Sequence, residues 1–340
     1  MDQAPLSIEA RALEARSGEL SDKVARLIDA VSSVYLGSRE QVVVPLVHAT
    51  LAGTHVLLQG LPGLGKTLLA RSLAAALGVE FSRIQCTPDL MPSDVTGTEI
   101  LEDGEDGHLG FRFRKGPVFS NLVLADEINR ATPKTQSALL EAMEERQVTL
   151  GGRTWPLPEP FLLIGTQNPV EMEGTFPLPE AQLDRFALEL DVGYPDRGVL
   201  EDILGSRSAL AATLPGAVLD PATILEVRTL SQQVLLGPHL RRYLAELLIE
   251  TQPDTDGKRA GGRPRVRLGA SPRAGLAVLA IARVKALLAG RFHVAREDLD
   301  ELLMPALRHR IVLGFEARSR GVTLEAMLAE WVGRAAKVLS

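Results

Sequence analysis

The sequence has a single cysteine, Cys86, and aromatic residues make up only 4% of its 340 residues. One cysteine cannot form an internal disulfide, which suits a reducing cytoplasm. Cys86 lies in a strand-like run, so we expect a small buried residue rather than a nucleophile. The segment Met1–Ser21 lacks the apolar core of a signal peptide. No apolar run approaches a length of about 18 residues, which a membrane-spanning helix needs. We therefore expect a cytoplasmic protein without membrane insertion.

The sequence also lacks an excess of positive charge. Lys and Arg number 37 against 43 Asp and Glu, a net charge of −6, so no global field attracts nucleic acid or anionic membranes. A basic run, Lys258–Arg267, lies in the loop Gln252–Gly269. Because this run has no interleaved aromatic residues, a solvated loop explains it better than a nucleic-acid contact, although both interpretations stay open.

The sequence does contain a regular alternation of apolar strands and helices up to about residue 212. Several of the strands are continuous apolar runs, which indicates a parallel sheet covered on both faces, with ligand at the carboxyl ends of its strands. Glycine-containing turns between extended runs predict two inserted β-hairpins, within Thr98–Phe113 and Gln147–Leu157. The predicted sheet strands are Val56–Gln59, Phe81–Cys86, Leu122–Ala125, Phe161–Gly165 and Leu188–Val192.

The helical segments are set by apolar spacing. Two of them, Asp22–Val34 and Gln41–Leu51, precede the first strand. The five that follow residue 212 are Thr223–Leu236, Leu240–Glu250, Ser271–Leu288, Arg296–Leu307 and Thr323–Leu339. We expect an N-terminal tail over residues 1–20, a doubly wound α/β core over 21–212, and a small all-α lid domain over 213–340.

Residues Gly60–Thr67 form the pattern G-x-x-x-x-G-K-T of a phosphate-binding loop, or P-loop. Gly60, Gly63 and Gly65 can adopt backbone angles that turn N–H groups toward one anion. Lys66 supplies positive charge to the outer phosphates, and the Thr67 hydroxyl can ligate Mg²⁺. A strand precedes the loop, and a helix from Thr67 to Leu77, stopped by Gly78, follows it. The predicted nucleotide contacts are Leu61, Pro62, Gly63, Leu64, Gly65, Lys66, Thr67 and Leu68.

Two later strands end in polar residues that suit triphosphate hydrolysis. Asp126 and Glu127 follow an apolar strand, where Asp126 can organise Mg²⁺ and Glu127 can act as the base for an attacking water. Asn168 follows the next strand and can hold that water and contact the γ-phosphate. The alternative for Asn168 is an ordinary Asn-Pro turn, and the sequence alone favours neither interpretation.

Together these segments resemble the AAA+ ATPases over almost the entire chain, and more narrowly the MoxR branch. The specific matches are Asp126–Ala131, Gln136–Met143, Gly165–Pro169 and Pro179–Phe186. The two predicted hairpins match the helix-2 insert and the insert before sensor 1 of this clade. The resemblance implies an AAA+ core with two inserted β-hairpins and an all-α lid.

The resemblance assigns further roles. Asn168 becomes sensor 1, and Arg185 becomes the arginine finger that acts on the nucleotide of a neighbouring subunit. Arg273, after the helix cap Ser271, becomes sensor 2 on the γ-phosphate within its own subunit. Gly37 falls where the family cradles adenine. Arg130 is a further candidate for a contact across the subunit interface.

The function implied by the resemblance is that of an ATPase requiring ATP and Mg²⁺. It would form a homo-oligomer, a hexameric ring, that remodels or matures a client protein complex with a partner bearing a von Willebrand A domain. The alternatives are a nucleic-acid motor, disfavoured by the charge and the low aromatic content, and the ATPase subunit of a metal chelatase. A nucleotide-switched scaffold that barely hydrolyses ATP is disfavoured by the intact Asp126-Glu127 pair.

Overall fold

The computed structural model describes residues 8–103, 109–170, 174–205, 213–253 and 265–339. These residues form two compact units. The first unit is Ala30–Pro221, and the second combines the segments that precede and follow it. The domain boundaries expected from the sequence stay a prediction. Most of the predicted basic run and part of the first hairpin turn, at residues 254–264 and 104–108, lie outside the described residues.

The elements are numbered in chain order. The strands are β1 (Val56–Gln59), β2 (Phe81–Gln85), β3 (Gly97–Asp103), β4 (Leu109–Lys115), β5 (Leu122–Asp126), β6 (Gln147–Leu150), β7 (Arg153–Pro156), β8 (Leu162–Gln167), β9 (Leu188–Asp191), β10 (Val266–Leu268) and β11 (Val312–Leu313). The α-helices are α1 (Ile8–Ser32), α2 (Val44–Leu51), α3 (Lys66–Leu77), α4 (Pro92–Thr96), α5 (Pro133–Glu145), α6 (Glu180–Leu183), α7 (Arg197–Gly205), α8 (Pro221–Ser231), α9 (Pro238–Glu250), α10 (Pro272–Leu288), α11 (Arg296–Leu307), α12 (Phe315–Ser319) and α13 (Leu324–Ala335). A π-helical segment, Arg39–Val43, leads into α2, and a 3₁₀ turn, Ile128–Arg130, follows β5.

The first unit is built on a five-stranded sheet in the order β2-β5-β8-β1-β9. All four neighbouring pairs are parallel, which confirms the predicted parallel sheet. All five residues of β5 are buried, because apolar side chains on both faces of this strand are covered. The strands therefore begin at one edge, the amino edge, and end at the opposite edge, the carboxyl edge.

The two predicted hairpins are also confirmed. Strands β3 and β4 pair antiparallel, as do β6 and β7. Gly151 and Gly152 connect β6 to β7 with φ values of 57° and 74°, a left-handed conformation that glycine adopts without strain. The rings of Phe113 on β4 and Trp155 on β7 stack with their centroids 4.8 Å apart. The two inserts thus pack against each other rather than extending the main sheet.

The second unit is mainly helical, as predicted, but the expectation that strands cease after residue 212 is wrong. Strands β10 and β11 form a small antiparallel sheet. Strands of three and two residues are too short to show a periodicity in the sequence. The N-terminal helix α1 also starts at Ile8, well before the predicted Asp22. It joins this unit because Arg16 pairs with Glu226 at 2.6 Å.

Candidate active site

The phosphate loop joins the carboxyl end of β1 to α3. Gly63 and Gly65 have φ values of 81° and 79°, as the sequence predicted for residues that turn their N–H groups inward. Gly60 serves a different purpose, because a Cβ atom there would lie 2.5 Å from the backbone oxygen of Val192. The first glycine of the motif therefore permits close packing beside β9 rather than a left-handed turn.

The Lys66 side chain folds back onto the loop. Its Nζ donates hydrogen bonds to the backbone oxygens of Gly60 and Leu61 at 2.5 and 2.8 Å. Leu61, Pro62 and Gly63 are exposed to solvent. The ammonium group is thus held at the mouth of the loop, where an anion would have access to it.

Asp126 is the last residue of β5 and is 7% exposed. Its Oδ2 accepts a hydrogen bond from the Thr67 hydroxyl at 3.2 Å, and its Oδ1 accepts one from the Thr166 hydroxyl at 2.6 Å. Arg83 also donates to Oδ2, from Nε at 2.9 Å and from Nη2 at 2.7 Å. A hydroxyl and a carboxylate oxygen at this spacing fit Mg²⁺, which prefers hard oxygen ligands. The guanidinium of Arg83 supplies the positive charge at this carboxylate.

Glu127 stands directly beyond the strand in a left-handed conformation, with φ of 56°. Such a conformation is strained for a residue with a side chain and needs support from its surroundings. Its backbone N–H donates to the Thr166 hydroxyl at 2.8 Å. Its carboxylate accepts hydrogen bonds from Gln85 at 3.2 Å and from Arg130 at 3.1 Å. The backbone turn thereby directs Glu127 away from the strand, while Asp126 faces Thr67.

The sequence argument missed Thr166, Arg83 and Gln85. Thr166 is completely buried and bonds both acids, since its hydroxyl donates to Asp126 and accepts from the Glu127 N–H. These residues lie on β8 and β2, the two neighbours of β5. Each touches the acids only because of the strand order, which no local sequence pattern reveals. The nearest available signal was the position of Thr166 two residues before Asn168.

Asn168 lies where β8 ends, beside the start of the loop. Gln167 is in register with Gln59, and the Gly60 N–H donates to the Gln167 oxygen at 3.2 Å. Asn168 is 6% exposed, and its Oδ1 accepts from the Val170 N–H at 3.2 Å. The side chain therefore forms the Asn-Pro turn of the alternative interpretation. It also lies at the carboxyl edge of the sheet, where a contact with the γ-phosphate would place it.

Gly37, the expected adenine contact, lies at a bend and packs against Tyr35 so closely that a Cβ atom there would overlap the ring. The same ring lies against Gly65, where an added Cβ would be 3.5 Å from it. Tyr35 is 4% exposed, and burial raises its pKa to about 12, so its hydroxyl stays neutral. Tyr35 thus connects the Gly37 bend to the phosphate loop.

Cys86 follows β2 and is completely buried, as the sequence predicted. Burial raises the pKa of its thiol to about 12, and the negative charges of Asp126 and Glu127 act in the same direction. A thiol that stays protonated at neutral pH is a poor nucleophile. Its role is therefore packing beneath the acidic pair.

Arg185 is not part of this cluster. It precedes β9, whose Leu188 is in register with Val56, the first residue of β1. It therefore lies at the amino edge, whereas the loop follows Gln59 at the carboxyl edge. Its Nη2 lies 2.8 Å from a carboxylate oxygen of Glu144. Arg130, the other candidate for an intersubunit contact, forms an ion pair with Glu127 of its own chain at 3.1 Å.

Arg273 belongs to the second unit, at the start of α10. The Ser271 hydroxyl accepts a hydrogen bond from the Arg273 N–H at 3.1 Å, which is the predicted helix cap. Pro272 occupies the first helical position, where its missing N–H costs nothing. The Arg273 side chain is exposed.

Two further observations bear on the chain as a whole. Among the described residues, no helix has the length and apolar character needed to cross a membrane. No group of three or more His, Cys, Asp or Glu side chains within those ranges could hold a metal ion by itself. A cation at Asp126 would therefore need ligands from the substrate or from water, as Mg²⁺ commonly has.

Comparison with known proteins finds related sequences and structures. Residues 55–188 match the ATPase family associated with various cellular activities (AAA), and residues 262–331 match the AAA lid domain. The chaperone MoxR1 of Mycobacterium tuberculosis is 40% identical, over 89% of this chain and 79% of that protein. The protein MoxR of Paracoccus denitrificans is 34% identical, over 86% of this chain and 91% of the relative.

A crystal structure of a candidate ATPase from Cytophaga hutchinsonii is similar throughout. Its TM-score is 0.85 at 37% identity, with 96% of this chain and 98% of that chain covered. A full-length MCM homologue from Methanopyrus kandleri superposes with a TM-score of 0.59 at 18% identity, a likeness of fold alone.

Proposed function

Because the chain belongs to the MoxR branch of the AAA+ ATPases, we propose that it hydrolyses ATP and uses the energy to remodel a protein complex. One observation carries this proposal. Thr67, Asp126, Thr166 and Glu127 form a continuous set of hydrogen bonds at the carboxyl edge, next to the phosphate loop. Triphosphate hydrolysis requires one carboxylate near the metal ion and one near the attacking water. Asp126, which faces Thr67, suits the first role, and Glu127, which points in another direction, suits the second.

ATP would bind with its phosphates on the loop Leu61–Leu68, where backbone N–H groups and the start of α3 attract anions. Lys66 would exchange its contacts with the loop oxygens for the outer phosphates. The bend at Gly37 would receive adenine, supported from behind by Tyr35. Asn168 and Arg273 are assigned to the γ-phosphate from the same chain, as the family pattern implies.

Thr67 and Asp126 would hold Mg²⁺, with the Arg83 guanidinium moving off the Asp126 carboxylate. When bound, Mg²⁺ supplies charge neutralisation at the β- and γ-phosphate oxygens. Thr166 keeps one Asp126 oxygen occupied, so the other oxygen is directed at Thr67.

Hydrolysis would proceed by attack of water on the γ-phosphorus, with release of ADP as the bond to its terminal oxygen breaks. Glu127 would accept the proton of the attacking water, which is why it needs an orientation different from that of Asp126. Its hydrogen bonds from Gln85 and Arg130 hold the carboxylate in place before ATP arrives.

The remaining positive group, Arg185, would act on ATP bound to a neighbouring copy. Helix α5 starts after Arg130 and is 13 residues long, so it extends about 20 Å before reaching Glu144, the partner of Arg185. An arginine on the far side of the sheet cannot reach its own loop. A guanidinium matches the charge spread over a transferring phosphoryl group.

The proposed assembly is a homo-oligomeric ring, with six subunits as the family pattern implies. The paired hairpins β3-β4 and β6-β7 are candidates for transmitting motion to a client complex, because they are separate from the main sheet and pack against each other. A partner with a von Willebrand A domain is part of the same proposal. The relative named a chaperone supports the remodelling role.

The substitution Glu127→Gln tests the catalytic assignment. We expect ATP binding to persist and steady-state turnover to fall by about 10²- to 10⁴-fold, because the base is removed while the charge pattern of the loop is kept. The matched variant Lys66→Ala should lose ATP binding instead. Binding of a fluorescent ATP analogue and release of phosphate separate the two effects. Unchanged turnover in Glu127→Gln would overturn the role of Glu127.

A further inference from the structure

Arg185 is already paired within its own chain. Its Nη2 lies 2.8 Å from Oε2 of Glu144, and the two side chains are 28% and 34% exposed. Arg185 follows the single turn of α6, and its backbone N–H donates to the Gln182 oxygen at 3.2 Å. The ion pair with Glu144 therefore contributes to where the guanidinium lies.

Glu144 stands on a rigid support. It lies in the last turn of α5, whose Leu140 and Met143 are in the hydrophobic core beneath the sheet. The next residue but one, Arg146, donates to the Gly53 oxygen at 3.3 Å, just before β1. The helix that carries Glu144 is therefore anchored near the amino edge of the sheet.

The ion pair leaves Arg185 able to bind a second anion. A guanidinium has five N–H donors, and the contact with Glu144 uses one of its nitrogens. The Nε is buried, so the exposed part of the side chain, which is 28% exposed overall, is what a second anion could contact. A free arginine side chain loses rotamer entropy when it is fixed. A guanidinium that is held beforehand avoids part of that cost when it meets a phosphate.

We propose that Glu144 is a positioning residue, which holds Arg185 of its own chain for contact with ATP bound to the neighbouring copy. This inference rests on the proposed role of Arg185 between subunits. It predicts that Glu144→Gln lowers kcat by about tenfold, because small misplacements of a contacting group have effects of at least this size. The KM for ATP should change less than twofold, since the ATP site of the mutated chain is intact.

Mixed assemblies can locate the effect. Lys66→Ala protein cannot bind ATP but supplies Arg185, so it is the finger donor. Arg185→Ala protein binds ATP but lacks the finger, so it is the site donor. Mixing the two inactive proteins should restore part of the ATP turnover. Adding Glu144→Gln to the finger donor should lower the restored turnover about tenfold, whereas adding it to the site donor should leave the turnover unchanged.

Two controls separate positioning from general damage. Glu145→Gln in the finger donor removes an adjacent exposed carboxylate and should have no effect. A folding defect caused by Glu144→Gln would lower turnover in both placements, and that result would overturn the proposal. If Glu144→Gln lowers the restored turnover neither in the finger donor nor in the site donor, the Glu144–Arg185 contact is an ordinary surface ion pair and the proposal is wrong. If the unmodified mixture restores no turnover although subunits exchange, the role of Arg185 between subunits fails, and this inference fails with it.

Discussion

The carboxyl and amino edges of the central sheet differ in which of the groups proposed for ATP hydrolysis they carry. At the carboxyl edge, Thr67 bonds Asp126 directly, and Thr166 joins Asp126 to Glu127 within one chain. At the amino edge, Arg185 has a carboxylate partner, Glu144, but lies on the other side of the sheet from the phosphate loop. The carboxyl edge contains the acids and the phosphate loop, and the amino edge carries Arg185 paired with Glu144.

This difference is the basis for the proposal that catalysis is divided between copies. The acids stand at the carboxyl end of β5, so the parallel sheet brings them to the loop that follows β1. A residue that precedes β9 is separated from that loop by the length of the strands. The proposed contact of Arg185 with ATP is therefore one with another copy of the chain.

Among substitutions that test the difference between the two edges, Arg185→Ala is expected to have the largest effect on ATP turnover. Loss of an arginine finger costs on the order of 10³ in turnover, because the charge of the transferring phosphoryl group is left without its partner. Binding of ATP should persist, since the loop is untouched. Arg197→Ala is a matched control, because Arg197 is 93% exposed and pairs only with Glu201 among the contacts described for it. Turnover and nucleotide affinity should be measured for both variants. A loss of affinity equal to the loss of turnover would place Arg185 in its own site.

An intermediate effect is expected for Thr166→Val at the carboxyl edge. Valine has the same shape but removes the hydrogen bond to Asp126 and leaves the Glu127 N–H unpaired. Loss of a buried hydrogen bond to a charged group costs about 1.5–3 kcal/mol, or about 10- to 100-fold in turnover. Thr166→Ser keeps the hydroxyl and should retain most of the activity. Equal turnover in the valine and serine variants would show that Thr166 does not organise the acids.

The smallest effect is expected for Arg83→Met. Its ion pair with Asp126 is worth about 1 kcal/mol at most, since the Arg83 side chain is 46% exposed. Mg²⁺ no longer competes with this cation, so the Mg²⁺ concentration for half-maximal nucleotide binding should fall by up to about fivefold. Titration of a fluorescent ATP analogue with Mg²⁺ measures this. A rise in the required Mg²⁺ concentration would mean that Arg83 helps to bind the nucleotide instead.

The sequence predicts the carboxyl edge of the sheet much better than the amino edge. β1 was predicted at Val56–Gln59 and has those bounds, because a buried parallel strand is a continuous apolar run. The loop glycines Gly63 and Gly65 were identified from a local motif, and so was the helix stop at Gly78. Local signals of this kind depend only on neighbouring residues.

Contacts that depend on tertiary structure could not be predicted. Arg83 reaches Asp126 because β2 lies beside β5, and Glu144 reaches Arg185 because α5 returns to the amino edge. Neither partner is near the other in sequence. The helix α1 was predicted too short because its first part is stabilised by the second unit, for example through the Ser17 hydroxyl and the Leu287 oxygen.

The central claim is that ATP is hydrolysed between two copies of this chain. The most direct test is to measure turnover per subunit of the unmodified protein during dilution, with the molar mass followed in the same samples. We expect turnover to fall, as assemblies dissociate, to the level of Arg185→Ala protein, while each free subunit still binds ATP. Full turnover by a single subunit would contradict the account.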